Sequence, residues 1–165
     1  MALTIAYIGL GGNLDNTLEL LGSARKAIAA LQGVSELAFS RFYRSAPMGN
    51  VDQPDFINAV MAVETSLSAH DLLKALQRIE HSHGRVRNGL RWGPRTLDLD
   101  LLTFGLEVIA DEGLTIPHAG IADREFVLYP MAEIAPSDFS IPGLGRLDDL
   151  VTNCPKRSLE FIAHG

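Results

Sequence analysis

Only one cysteine, Cys154, occurs in the 165 residues, so no internal disulfide can form and packing alone must hold the fold. No run of about 18 apolar residues is present, which excludes a helix able to span a bilayer. Met1 is followed by Ala-Leu-Thr-Ile-Ala-Tyr-Ile, without the basic leader or small-residue cleavage site of an export signal. These three absences together predict a cytoplasmic protein. Cations are also scarce: 14 Lys and Arg stand against 20 Asp and Glu, a net charge of −6. That excludes the broadly basic surface that coats nucleic acid, and it requires any anion site to be local. Apolar residues, by contrast, make up 47% of the chain, which excludes disorder as its main state. With no composition boundary along its length, the chain is read as one domain, residues 1–165.

Residues 3–10 are apolar and β-branched and run into Gly11-Gly12-Asn13, the pattern of a buried strand ending in a turn. Asn16 and Glu19 have the spacing of a capping box, and Leu18, Leu21, Ala24, Ile28 and Leu31 then recur at helical spacing up to Gly33. Residues 34–46 and 56–67 read as two strands around a loop rich in Gly, Pro, Asn and Asp. Ser68 and Asp71 form a second capping box ahead of an apolar face through Leu72, Leu73, Leu76 and Ile79. Residues 84–95 break every period, whereas 96–104 alternate with period two. Beyond them, 121–134 can hold a helix only with a break near Pro130. The order βαββαβ predicts an α+β fold, two helices on one face of a mainly antiparallel sheet.

Asp98 and Asp100 fall on one side of that last strand, with Leu97, Leu99 and Leu101 on the other. Two carboxylates on one face fit a hard cation such as Mg²⁺ with room left for phosphate, but the triplet alone favours a solvated strand face. The neighbours shift the balance. Arg85, Arg87, Arg91 and Arg95 lie within eleven positions that hold no acid, immediately before the aspartates. Guanidinium groups bind phosphate oxygens through paired hydrogen bonds, so arginines beside a Mg²⁺ site suit phosphoryl transfer. Trp92, among them, either covers a ring-shaped ligand or packs the loop. His118, after Pro117, is either a phosphate contact or a structural histidine. Gly9-Leu10-Gly11-Gly12-Asn13 lacks the lysine and spacing of a phosphate-binding loop, so its glycines are read as letting the backbone turn after the first strand. His81 and His83 cannot share a helical face and are read as surface residues.

The block 85–102, Arg-Val-Arg-Asn-Gly-Leu-Arg-Trp-Gly-Pro-Arg-Thr-Leu-Asp-Leu-Asp-Leu-Leu, closely resembles the signature of the 6-hydroxymethyl-7,8-dihydropterin pyrophosphokinase family of folate biosynthesis. The likeness extends to Tyr7-Ile-Gly-Leu-Gly-Gly-Asn-Leu, Phe42-Tyr-Arg-Ser-Ala-Pro-Met-Gly, Asp52-Gln-Pro-Asp-Phe-Ile-Asn-Ala, Leu114-Thr-Ile-Pro-His, Arg124-Glu-Phe-Val-Leu and Glu133-Ile-Ala-Pro. It implies a ferredoxin-like α/β sandwich and transfer of the β,γ-pyrophosphoryl group of ATP to the pterin hydroxymethyl oxygen, releasing AMP. It further implies that Asp98 and Asp100 hold two Mg²⁺ ions, with Arg85, Arg87, Arg91, Arg95 and His118 on the phosphates. Gln77, Glu80, Leu101, Thr115 and Arg124 match positions near the nucleotide. For the pterin, Phe56 and Phe126 match two aromatic walls, Asn58 the reader of the ring edge, Ser45 and Met48 backbone contacts, and Trp92 a cover. Arg85, Arg95, Asp98 and Asp100 are the expected catalytic set, with Asp98 the candidate general base. A monomer acting on small molecules is expected, with no nucleic acid and no membrane.

Loops 46–55 and 84–94 would have to close over the substrates to keep water from competing for the phosphoryl group. The chain departs from the family at Gly12, Ala46 and Phe56, and more consequentially at Gly113 and Ala119, which border the expected nucleotide side. Two other readings stand beside the pyrophosphokinase. One is a phosphoryl or nucleotidyl transferase acting on a different hydroxylated ring; the other is a non-catalytic ligand-binding module on the same sandwich.

Overall fold

The computed structural model describes residues 2–13, 16–45, 55–83, 97–155 and 159–162. Strand β1 (Thr4–Gly12) leads to helix α1 (Thr17–Ala29), strands β2 (Val34–Phe39), β3 (Tyr43–Ser45) and β4 (Phe56–Thr65), helix α2 (Ala69–Ser82) and strand β5 (Asp98–Phe104). A hairpin of β6 (Ile109–Asp111) and β7 (Leu114–Ile116) and a 3-10 turn (Ile121–Asp123) precede helix α3 (Glu125–Ile134). The chain then runs through β8 (Ser140–Ile141), β9 (Gly145–Arg146), α4 (Leu147–Thr152) and β10 (Glu160–Phe161).

The main sheet has the order β10-β3-β4-β1-β5, with β2 also paired to β4, and every pairing is antiparallel. This is the split arrangement expected of βαββαβ, with β1 and β4 at the centre. Alternation along the central strands sends Ala6, Ile8, Leu10, Met61 and Val63 to one face, where Leu21, Ala24 and Ile28 of α1 and Leu72, Leu76 and Ile79 of α2 cover them. Tyr7, Val60, Ala62 and Leu102 face the other way and pack under Val127, Leu128 and Met131 of α3 and Leu147 of α4. The C-terminal third, which the sequence pattern left open, therefore roofs the second face.

Three local expectations are corrected. The 34–46 run is two strands, because the Ser40 hydroxyl accepts the Val60 N–H at 2.9 Å and interrupts the ladder along β4. Ser68 does cap α2 by accepting the Asp71 N–H at 3.1 Å, but Asn16 makes no side-chain cap on α1. Its φ of −102° and ψ of 27° lie outside the extended conformation that folds a cap side chain back onto the first turn. Finally, α3 runs through Pro130 without a break. One hydrogen bond is forgone there, but burial of Val127, Leu128 and Met131 at about 1.5–3 kcal/mol each outweighs it.

Candidate active site

The site starts from strand register. Gly11 of β1 pairs with Asn58 of β4 on one side and Asp98 of β5 on the other, and Gly9 pairs with Val60 and Asp100. Residues opposite one another on neighbouring strands share a face, so Asn58, Asp98 and Asp100 all point toward the α3 side. Leu97, Leu99 and Leu101 point away, into the core beneath α2. The predicted division of the strand into acidic and apolar faces is therefore present, with both aspartates half-buried.

Between this face and the start of α3 lies a cavity of about 450 Å³, bordered by Gly9, Gly11, Ser45, Phe56, Asn58, Asp98, Asp100, Asp123, Arg124, Glu125 and Phe126. Phe56 comes from the first residue of β4 and Phe126 from the first turn of α3, so aromatic side chains enter from both layers. Asn58 Nδ2 is buried and has no hydrogen-bond partner among the described residues. A buried amide left so costs about 1–3 kcal/mol, which marks it as a donor for a ligand with an acceptor edge. Four carboxylates and one guanidinium, Arg124, are among the described lining residues, which gives this part of the cavity cation-binding character.

A second cavity, of about 390 Å³, adjoins the edge of β5 and is bordered by Leu73, Leu99, Asp100, Leu101, Gly113, Thr115, His118 and Ala119. Asp100 is common to both cavities. The His118 ring is oriented by the Gly120 N–H, which donates to Nδ1 at 3.2 Å. That leaves Nε2 to carry the proton of the neutral ring, 3.9 Å from Asp100 Oδ1. Gly113 has a φ of +85° in the β6–β7 turn, a conformation that favours glycine and gives its presence there a local backbone reason.

No group of three or more His, Cys, Asp or Glu suited to a metal occurs among the described residues. Two carboxylates on one strand face are nonetheless the donor set that Mg²⁺ takes when substrate phosphates and water complete its shell. Asp98 and Asp100 fit such an ion.

The expected residues do not all gather as anticipated. Ser45, Phe56, Asn58 and Phe126 border the first cavity, and Leu101, Thr115 and His118 the second. Arg124, expected on the nucleotide side, borders the first cavity, its Cζ 5.8 Å from the Phe126 ring centre. Gln77 is exposed in a shallow groove with Lys74 and Arg78 and lines neither cavity. Glu80, three residues on, is buried, and its Oε2 accepts the Leu99 N–H at 2.7 Å. Met48, Arg85, Arg87, Arg91, Trp92 and Arg95 lie outside the described residues, as do positions 46–54 and 84–94 of the two expected closing loops. His81 is exposed as expected; His83 is partly buried, bonded to Ser23 Oγ at 2.8 Å. Gly9 and Gly11 are interior residues of a strand and not a turn. Sequence reading passed over Asp123 and Glu125, although the acidic pair around Arg124 at a helix start was the available signal.

A sequence model of the family described as 7,8-dihydro-6-hydroxymethylpterin-pyrophosphokinase (HPPK) matches residues 7–136. The chain is similar to the 2-amino-4-hydroxy-6-hydroxymethyldihydropteridine pyrophosphokinase of Haemophilus influenzae, 51% identical over 146 residues that cover 88% of this chain and 90% of that protein. The protein of the same name in Pseudomonas aeruginosa is 45% identical over 156 residues, 94% of this chain and 95% of its own length. Among solved structures, wild-type HPPK-DHPS of Plasmodium falciparum with pteroate superposes with a TM-score of 0.71 at 13% identity, over 92% of this chain and 42% of that one. That likeness is one of fold, and this chain spans less than half of the longer protein.

Proposed function

The chain belongs to the 7,8-dihydro-6-hydroxymethylpterin-pyrophosphokinase family, and on that premise we propose that it transfers the β,γ-pyrophosphoryl group of ATP to the hydroxymethyl oxygen of 6-hydroxymethyl-7,8-dihydropterin. The products are the pterin diphosphate and AMP, a step of folate biosynthesis. One observation carries the reading: two cavities of different lining meet at a shared carboxylate, Asp100, next to Asp98.

The first cavity takes the pterin. Phe56 and Phe126 supply aromatic surface for a flat ring, and the buried Asn58 amide gains the partner it lacks when it donates to the ring edge. The second cavity takes the nucleotide, with Leu101 and Thr115 in its wall and His118 Nε2 placed to donate toward phosphate. In the reaction the hydroxymethyl oxygen forms a bond to the β-phosphorus while the bond from that phosphorus to the α-phosphate oxygen breaks. AMP leaves with that oxygen, and Asp98 is the residue proposed to accept the hydroxyl proton.

Asp98 and Asp100 would hold two Mg²⁺ ions, which when bound supply neutralisation of the phosphate charge. The arginines at 85, 87, 91 and 95 add positive charge from the protein, so positioning and electrostatics carry the rate. The proposal takes residues 1–165 as one catalytic domain acting as a cytoplasmic monomer on small molecules, without nucleic acid. The net charge of −6 supports the last point. No helix among the described residues is long and apolar enough to cross a membrane.

The test is AMP release from ATP with the pterin present or absent, each with magnesium or with chelator. Release that requires both pterin and metal is the expected result. Pterin binding without any AMP release would overturn the transferase in favour of a binding module.

A further inference from the structure

Gly11 lies inside β1, in register with Asn58 and Asp98, and its backbone is not in the left-handed region that glycine alone favours. Conformational freedom therefore does not account for it. Space does: a β-carbon built at position 11 falls 2.5 Å from Asn58 Oδ1 and 3.5 Å from Asn58 Cγ. Carbon and oxygen do not approach so closely without one of them moving. Gly9, two residues earlier on the same face, differs, since a β-carbon there meets only Leu102 side-chain atoms at 3.5 to 3.7 Å, an ordinary contact.

Asn58 has little room to yield. Its side chain has two torsions, its Nδ2 is buried, and its neighbour in the row beyond is Tyr43, itself buried. With any larger residue at position 11, Oδ1 must leave the β1 backbone, and turning the amide moves Nδ2 off the cavity.

We propose that Gly11 is a specificity-determining positioning residue: the missing side chain seats Asn58 Oδ1 against β1 and thereby aims Nδ2 at the edge of the bound heterocycle. The inference rests on the proposed function, in that the ligand of the first cavity is taken to be the pterin. Gly11 has no side chain to offer the ligand and acts through Asn58.

The experiment is a double-mutant cycle on pterin binding and turnover with Gly11→Ala, Asn58→Ala and the pair. Gly11→Ala should raise the pterin KM roughly tenfold to a hundredfold, as expected for misdirecting one buried hydrogen bond, with the KM for ATP unchanged. Because truncating Asn58 removes the clash, the pair should bind pterin no worse than Asn58→Ala alone. An unaltered pterin KM in Gly11→Ala, or a Gly11→Ala effect that adds in full to that of Asn58→Ala, would overturn the inference. If Gly11→Ala fails to fold, recovery of a folded protein in the pair supports the clash with Asn58, and failure of the pair to fold overturns it. Wild-type protein that binds no pterin at all would instead sink the functional reading on which this one stands.

Discussion

The buried carboxylate of Glu80 on α2 accepts the backbone N–H of Leu99, the residue between Asp98 and Asp100, at 2.7 Å. Among the described strands β5 is the last in its direction across the sheet, so this N–H has no described strand beyond it to bond, and a helix side chain satisfies it. Glu80 thus fixes the strand that carries both aspartates.

Glu80→Ala leaves that N–H unsatisfied and should cost about 1–3 kcal/mol of stability. Glu80→Gln keeps an oxygen acceptor and should cost less. Urea unfolding of the two variants measures the difference, and the magnesium concentration for half-maximal AMP release should rise in the alanine variant.

Asp98→Asn and Asp100→Asn keep the shape of the strand face and remove its charge. Each should lower magnesium-dependent turnover about a hundredfold or more, the scale seen when a group that stabilises transition-state charge is lost. Melting temperatures should stay close to wild type. Near-normal steady-state rates in either variant would remove the metal assignment.

Asn58 can be dissected atom by atom. Asn58→Ala should raise the pterin KM about tenfold to a hundredfold, and Asn58→Asp, which keeps an acceptor but loses the Nδ2 donor, should do nearly as much. The KM for ATP should be unchanged in both, since Asn58 does not border the cavity proposed for it.

At the far end of α3 the Tyr43 hydroxyl and the Arg41 backbone N–H and guanidinium all donate to the Glu133 carboxylate, tying the roof of the first cavity to β3. Burial, and then the adjacent carboxylate, pushes the Tyr43 phenol from its ordinary 10.0 up to about 12. Its contribution is therefore complete below pH 10.0 and is lost as pH rises through about 12. Burial alone would raise the Glu133 carboxyl, but the hydrogen bonds from Tyr43 and Arg41 outweigh it and hold it below the usual carboxylate range. That contribution is present above 4.5 and disappears as pH falls through the lowered value. In thermal unfolding against pH, the gap between wild type and Tyr43→Phe should narrow above pH 10.0, and the gap to Glu133→Gln should narrow in acid.

What was legible in the sequence was local. The alternation of Leu97, Leu99 and Leu101 with Asp98 and Asp100 is written into five consecutive residues and needs only a strand to express it. The amphipathic faces of α1 and α2 were equally visible, and so was the Ser68 cap. Gly11 resembles a turn residue in the sequence, while its neighbour Asn58 is distant along the chain and opposite only through sheet register. Ser40 divides a run with uniform strand character through a bond to Val60, again a pairing and not a composition. Gln77 and Glu80 look alike as polar residues on one helix, yet one faces water and the other seals a strand edge. Pro130 signals a break on local grounds alone, whereas the burial that holds α3 together is tertiary.

Asp100 is the described side chain that both cavities share. A positive charge held there would be felt from either side, so a ligand that brings such a charge into one cavity would alter the affinity of the other. Because the four binding free energies close a cycle, whatever factor the first ligand lends the second is returned unchanged when the order of addition is reversed. A single carboxylate at the boundary is thus a route by which two binding events can be coupled, and that coupling would need no change of shape.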